Sequence, residues 1–267
     1  MEVRSVLITG TTSGVGRGLL ELYACRRVRI IAVNRRRDEA LEARYPEVWF
    51  ERVDVRDAEA VAKLVGDLAA AGALPDAFIL NAGVNRIDND EQFDLALCRD
   101  VFDTNLYGVL NFIAPLTRLT PTSAPLHLIA VSSMVTYAGN PYGLGYTTSK
   151  VALTTAFDTW ARMYAGTDLV FKQVLLGPVR TSIVTMQDHH PGWMNRARSL
   201  LSASIDDTAR AIARFAENRR AKLIYPARAF PVFAALGLGQ RLIPGLLPGS
   251  LHGRKTMAGK RRRADET

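Results

Sequence analysis

Seven short apolar runs, separated by polar and helix-periodic stretches, constrain this chain more than any other feature. They are VRSVLIT (3–9), VRIIAV (28–33), VWFERV (48–53), AFILN (77–81), LHLIAV (126–131), LVFKQVLL (169–176) and KLIYP (222–226). The runs are short enough for strands and near-continuously apolar, so both of their faces must be covered. Between them lie AEAVAKLVGDLAAAG (58–72) and DDTARAIARFAENRR (206–220), whose apolar residues recur at helical spacing. Buried strands alternating with helices imply an α/β fold: a doubly wound, seven-stranded parallel sheet with helices on both faces.

The alternation runs through residues 1–229 as one unit, with an apparent insertion at 182–204. Residues 230–267 form a separate extension. Its first part, FPVFAALGLGQRLIPGLLPGSLHG (230–253), is apolar and broken by Gly and Pro. Prolines at 231, 244 and 248 exclude one long helix and leave a short helix near 232–243. The end is basic, with Lys260, Arg261, Arg262 and Arg263 together. Hydrophobic residues make up 48% of the 267, enough for a large core, and the net charge is +8. No nucleic-acid-binding motif accompanies that charge, and scattered arginines read as solvated side chains. Cys25 and Cys98 are the only cysteines, so neither a metal-ligand spacing nor a disulfide framework is expected. The N-terminal residues lack the apolar segment of a signal peptide, and the expected location is cytoplasmic.

LITGTTSGVGRGLL follows the first apolar run and places glycines at 10, 14 and 16. A tight turn needs Gly10, and a pyrophosphate can approach only where side chains are small. The helix that follows offers N–H groups and the positive end of its dipole to the phosphates.

This spacing resembles the TGxxxGxG of the classical short-chain dehydrogenases/reductases, whose fold is Rossmann-like. The resemblance continues over roughly residues 3–225. In the turn it marks Gly10, Thr12, Ser13, Gly14, Val15 and Gly16 as cofactor-binding. Asp54 and Val55 match the adenine side of the family's site. Asn81, Ala82 and Gly83 match its NAG segment. Asn105 in DTNLYG matches its helix asparagine, which in the family anchors a water in a proton relay. Ser133, Tyr146 and Lys150 match its S…YxxxK. Gly177, Pro178, Val179 and Thr181 match the segment that closes over nicotinamide, although Leu176 stands where the family has proline. The resemblance implies a catalytic set of Asn105, Ser133, Tyr146 and Lys150, with Tyr146 and Lys150 also at the cofactor and no metal.

The spacing of Tyr146 and Lys150 has its own logic. On a helix over 144–164 they share one face, one turn apart. The ammonium favours the phenolate, so the expectation is a tyrosine lowered from ~10 toward neutral. Ser133, at the end of the fifth run, can bond a substrate oxygen beside it. Ser132 is the adjacent alternative, and spacing favours Ser133. Tyr137 and Tyr142 lack a lysine four residues on and read as pocket or surface residues. His189 and His190 have no sequence partner.

The second run ends in Asn34, Arg35 and Arg36, where NAD-binding members carry an acid that grips the ribose 2′-hydroxyl. Guanidinium groups suit a phosphate, so NADP(H) is expected in preference to NAD(H). Asp38 comes too late to take the acid's place. Val184, Met186, Trp193, Met194 and Leu200 offer an apolar lid, which suits an apolar ketone, aldehyde or secondary alcohol. The resemblance implies association through 91–118 and 143–164, as a dimer or a tetramer; with the extension over one of the two faces, a homodimer is expected. The extension reads as a cap on the substrate pocket that also makes weak peripheral membrane contact. Two alternatives stay open: a non-catalytic NADP-sensing regulator and a membrane-peripheral lipid-interaction protein.

Overall fold

Each apolar run becomes a strand because its side chains alternate between two packed faces. The structure is a computed structural model and describes residues 2–86, 94–119, 124–138, 143–180 and 199–242. The strands are β1 (Ser5–Thr9), β2 (Arg29–Asn34), β3 (Trp49–Arg52), β4 (Ala77–Leu80), β5 (Leu126–Ser133), β6 (Leu169–Leu176) and β7 (Lys222–Tyr225). They lie in the order β3-β2-β1-β4-β5-β6-β7 and every neighbouring pair is parallel.

The helices are α1 (Gly14–Cys25), α2 (Glu39–Arg44), α3 (Ala58–Ala70), α4 (Leu95–Phe102), α5 (Gly108–Arg118), α6 (Leu144–Met163), α7 (Ile205–Glu217) and α8 (Phe230–Leu242). On one face of the sheet Val6, Ile8, Ile79, Ile129 and Val174 pack with Leu19, Leu20, Ile212 and Phe215 of α1 and α7. On the other, Leu7, Ile31, Phe78 and Leu128 pack with Val61, Phe112 and Phe157 of α3, α5 and α6. Complete burial of each such large side chain stabilises by about 1.5–3 kcal/mol. Gly18 lets α1 and α7 close up, because a Cβ there would overlap Ile205 Cγ2.

The strand order reverses between β1 and β4, and open α/β sheets bind ligands at the carboxyl ends of strands beside such a reversal. Thr9 stitches that edge: its Oγ1 accepts from the Asn81 and Ala82 backbone N–H groups at 3.0 and 2.9 Å.

One buried cation interrupts the apolar pattern. Lys172 on β6 is 1% exposed. Its Nζ donates to the carbonyls of Phe215, Ala216 and Asn218 at 2.6, 3.1 and 2.7 Å, closing the C-terminal end of α7. His127 Nδ1 lies 3.0 Å from the same Ala216 carbonyl. Burial draws Lys172 down to about 8, while three carbonyls and the negative end of the helix dipole favour its ammonium form.

The apolar start of the extension is helical over Phe230–Leu242, close to the expected 232–243. Pro231 sits in the first turn, where a missing N–H is harmless. α8 packs on the turn Met134–Thr136 that follows β5. The Tyr137 and Phe230 rings meet edge to face at 5.1 Å. Gly237 lies against the Tyr137 carbonyl so closely that a Cβ would overlap it. No helix among the described residues is long and apolar enough to cross a membrane. The basic cluster at 260–263 lies outside the described residues.

Candidate active site

The glycine turn between β1 and α1 has the backbone that its glycines permit. Gly10 and Gly14 have φ of 74° and 57°. A Cβ on Gly16 would overlap the Gly10 carbonyl, so the helix start can fold back on the turn only without one. α2, α3, α4 and α7 carry side-chain caps from Asp38, Asp57, Asp94 and Ser204. α1 has no side-chain cap from Ser13 and no acid in its first turn. Its leading N–H groups, with Thr12, Ser13 and Val15 around them, thus fit the pyrophosphate of a dinucleotide.

Asn34 turns inward. Its Oδ1 accepts from Thr11 N at 2.8 Å and its Nδ2 donates to Thr11 Oγ1 at 2.8 Å, so it braces the turn. Asp38 is spent on capping α2, with Leu41 N at 3.0 Å. Arg37 pairs with Glu42 at 2.8 Å. Arg35 and Arg36 are exposed and form no salt bridge among the described residues.

Asp54 is chelated by Arg56, with Nη2 at 2.7 Å from Oδ2 and Nε at 3.1 Å from both oxygens. That guanidinium holds the Asp54 carboxyl below its ordinary range. Arg56 continues to Asp100 at 3.2 Å, and Asp100 to Arg86 at 3.3 Å. Sequence reasoning missed this ladder, because its members come from separate elements. Val55 is buried against Gly108, and its carbonyl accepts from Asn111 Nδ2 at 2.8 Å.

The NAG segment has three separate tasks. Asn81 Nδ2 donates to the carbonyls of Thr9 and Gly10 at 3.1 and 3.3 Å. Ala82 packs 3.0 Å from where a Gly10 Cβ would stand. Gly83 leaves room for Asn105 and Lys150: a Cβ would lie 3.2 Å from Asn105 Oδ1 and 3.5 Å from Lys150 Nζ. Asn105 itself lies in a π-helical turn, Asp103–Tyr107, between α4 and α5. Its fully buried side chain accepts from Val84 N at 2.8 Å and donates to Val84 O at 2.9 Å and Ser149 Oγ at 3.2 Å. The amide therefore holds the segment after β4 against α6.

Ser133, Tyr146 and Lys150 come together where the end of β5 meets the start of α6. The Ser133 side chain hydrogen-bonds that of Tyr146 and also donates to the Leu176 carbonyl at 3.2 Å. Lys150 is 5% exposed and its Nζ donates to the Val131 carbonyl at 2.8 Å. That Nζ lies 5.9 Å from the centre of the Tyr146 ring. Burial raises the Tyr146 phenol, and the Ser133 hydrogen bond only partly opposes it. The expected lowering by lysine is therefore corrected: desolvation of the hydroxyl is the largest influence on it and moves it the other way. Burial also draws Lys150 down to about 8.

Gly177 allows the end of β6 to pass Met134 and Ala229, since a Cβ would meet them at 3.0 and 3.2 Å. Pro178 O accepts from Ala203 N at 3.0 Å, and Val179 pairs with Ala203 in a parallel bridge. Arg228 Nη2 donates to Ser202 O at 2.6 Å, so Ser202 and Ala203, at the C-terminal end of the 182–204 insertion, are tied both to the segment after β6 and to the turn after β7. Thr181, Tyr142, Val184, Met186, His189, His190, Trp193 and Met194 lie outside the described residues, and Leu200 is exposed.

Comparison with known proteins agrees with this geometry. The family model for short chain dehydrogenase matches residues 4–191. An uncharacterized oxidoreductase of Myxococcus xanthus is 30% identical over 190 residues, covering 68% of this chain and 75% of that protein. A short chain dehydrogenase of Burkholderia cenocepacia, solved in complex with NADP, superposes with a TM-score of 0.71 at 22% identity, over 91% of this chain and 98% of that one. A short chain dehydrogenase/reductase of Burkholderia phymatum, solved with NAD, gives 0.76 at 18% identity, over 92% and 97%. With a seven-stranded parallel sheet, an open α1 turn and a family model that matches residues 4–191, the chain belongs to the short-chain dehydrogenase/reductase family of oxidoreductases.

Proposed function

We propose that the chain is an NADP(H)-dependent oxidoreductase that interconverts a carbonyl and an alcohol on an apolar small molecule, with Tyr146 as acid and base. The observation that carries this reading is the contact of Tyr146 with Ser133 above the buried Lys150. When bound, the nicotinamide supplies the hydride for reduction or takes it in oxidation. The turn Gly10–Gly16 and the open end of α1 would hold the phosphates, and Lys150 the nicotinamide ribose. In reduction Tyr146 gives its proton to the substrate oxygen, while the Ser133 hydroxyl turns from the Leu176 carbonyl to donate its one hydrogen bond to the same oxygen. A phenol raised by burial keeps its proton at neutral pH, so the proton for reduction is in place, and its transfer has less driving force than from a phenol near neutral. A screen of carbonyls and alcohols with NADPH, NADH and their oxidised forms, read by nicotinamide absorbance, tests the reading. Binding of cofactor with no turnover across the panel would favour a cofactor-sensing regulator.

Preference for NADP(H) rests on Arg35 and Arg36, two exposed guanidinium groups at the end of β2, and on the engagement of Asp38 in capping α2. NADPH should bind at least ~10-fold more tightly than NADH, equivalent to ~1.4 kcal/mol. Arg35→Ala with Arg36→Ala should erase the difference in a fluorescence titration. Equal affinities in the unaltered chain would show that both arginines merely face solvent.

α8 is read as one wall of the substrate pocket, because it covers the turn that leads from Ser133. Gly237→Val should push α8 off the Tyr137 carbonyl at a cost of about 1–3 kcal/mol. Thermal melting should report that loss, and KM for the apolar diketone phenanthrenequinone should rise while NADPH affinity holds. An unchanged KM together with an unchanged melting temperature would remove α8 from the pocket. Exposed Leu95, Tyr107 and Val151 on the surface of α4, the π turn and α6 support a homodimer through that face.

A further inference from the structure

β5 reaches the candidate site with three consecutive residues, and each is tied to α6. The Val131 carbonyl accepts from Lys150 Nζ, and the Ser133 side chain meets Tyr146. Ser132 lies between them. Its Oγ donates to the Lys150 carbonyl at 3.3 Å and shares a hydrogen bond of 2.8 Å with Thr154 Oγ1. Ser132 is 3% exposed.

The direction of this chain of hydrogen bonds follows from proton count. A serine hydroxyl has one proton. With that proton on the Lys150 carbonyl, Ser132 has only lone pairs left for Thr154, so the Thr154 hydroxyl donates to it. The other contacts between α6 and the sheet include Leu153 and Phe157, which are apolar and non-directional, and, a turn further from the site, the Asp158 carboxylate, which accepts from Gln173 Nε2 and from Lys222 Nζ at 2.9 Å. Apolar packing tolerates small sliding and rotation of a helix. A directed bond to the Lys150 carbonyl does not.

We infer that Ser132 and Thr154 are positioning residues, which fix the height and rotation of α6 on β5 so that Tyr146 and Lys150 reach the sheet edge in register. This rests on the reading that Tyr146 and Lys150 act on a carbonyl or alcohol. Burial alone does not require a hydroxyl pair here, because an apolar pair of the same shape can be nearly neutral in stability. What the pair adds is geometry, and a misplacement of about 1 Å at a reacting group can cost on the order of a hundredfold in rate.

The test uses the full chain with NADPH and phenanthrenequinone. Thr154→Val keeps the shape and loses the hydroxyl, whereas Thr154→Ser keeps the hydroxyl and loses a methyl. Thr154→Val and Ser132→Ala should each lower kcat per NADPH-binding site about tenfold, with NADPH affinity within about twofold. Thr154→Ser should retain kcat, and the double variant Ser132→Ala/Thr154→Val should be no worse than about one single variant. An unchanged kcat per site in Thr154→Val, or an equal loss in Thr154→Ser, would overturn the inference. A merely structural role would reduce the number of NADPH-binding sites and spare kcat at each. If the unaltered chain binds NADPH but turns over no carbonyl in the panel, the catalytic reading fails instead. Carbon NMR of ring-labelled tyrosine, with Tyr146 assigned through Tyr146→Phe, then decides positioning. The Tyr146 resonance should move in Thr154→Val and stay in Thr154→Ser, and an unmoved resonance in Thr154→Val would refute it.

Discussion

Tyr146→Phe should bind NADPH with near-normal affinity and lose turnover by about a hundredfold to ten-thousandfold, the usual range for a positioned acid. The substitution removes one oxygen and leaves the ring where it packs on α6. The Ser133 hydroxyl loses one partner but still donates to the Leu176 carbonyl, so the stability change should stay near 1 kcal/mol. Lys150 keeps its bond to Val131. What disappears is the transferable proton, which burial retains on the phenol at neutral pH. Stopped-flow absorbance at saturating NADPH measures the loss. Turnover within about threefold of the unaltered chain would take Tyr146 out of the chemistry.

Lys172→Met should be the most destabilising single substitution considered, by about 2–4 kcal/mol. Methionine fills much of the same volume, so packing against β5 and β7 survives. The loss is electrostatic. Three carbonyls at the end of α7 would lose the ammonium that now serves them; that of Ala216 keeps His127 Nδ1 at 3.0 Å and exposed Asn218 can meet water, while the side-chain position itself is only 1% exposed. The Nζ also lies 4.5 Å from the centre of the Phe215 ring, a further contact that methionine would lose. Relief from burying a charge offsets part of the cost, which keeps the expectation below the sum of the broken bonds. At about 2–4 °C per kcal/mol for a chain of this size, the melting temperature should fall by roughly 5–15 °C. A melting temperature within about 2 °C would mean that the α7 carbonyls find other donors.

The strands were legible because a strand covered on both faces is apolar along its length, and a parallel sheet gives every strand that signature. Even edge strand β3, with Trp49 exposed, was marked by its aromatic residues. Tyr146 and Lys150 were legible because helical spacing is visible in sequence. The short helix of the extension was legible from its prolines.

The pairings were not. Lys172 is 43 residues from Phe215, and Ser132 is 22 residues from Thr154. Nothing in the local pattern says that a lysine inside an apolar run will close a helix end, although a charge in such a run is itself a signal. Asn34 and Asp54 stand where the family resemblance puts cofactor contacts, yet their side chains already serve Thr11 and Arg56. The direction of the Tyr146 shift was hidden for a different reason. Charge is written in the sequence, while desolvation depends on what the fold packs around the hydroxyl.

Transfer of deuterium from NADPH labelled at the reactive nicotinamide carbon tests the central claim most directly. The labelled cofactor is mixed with the full chain and an apolar ketone or diketone that turns over in the screen, and the alcohol is analysed by mass spectrometry. One deuterium on the carbinol carbon, formed by the unaltered chain and absent with Tyr146→Phe, is the predicted result. Tight cofactor binding with no labelled alcohol from any carbonyl offered, or equal labelling by Tyr146→Phe, would contradict the account.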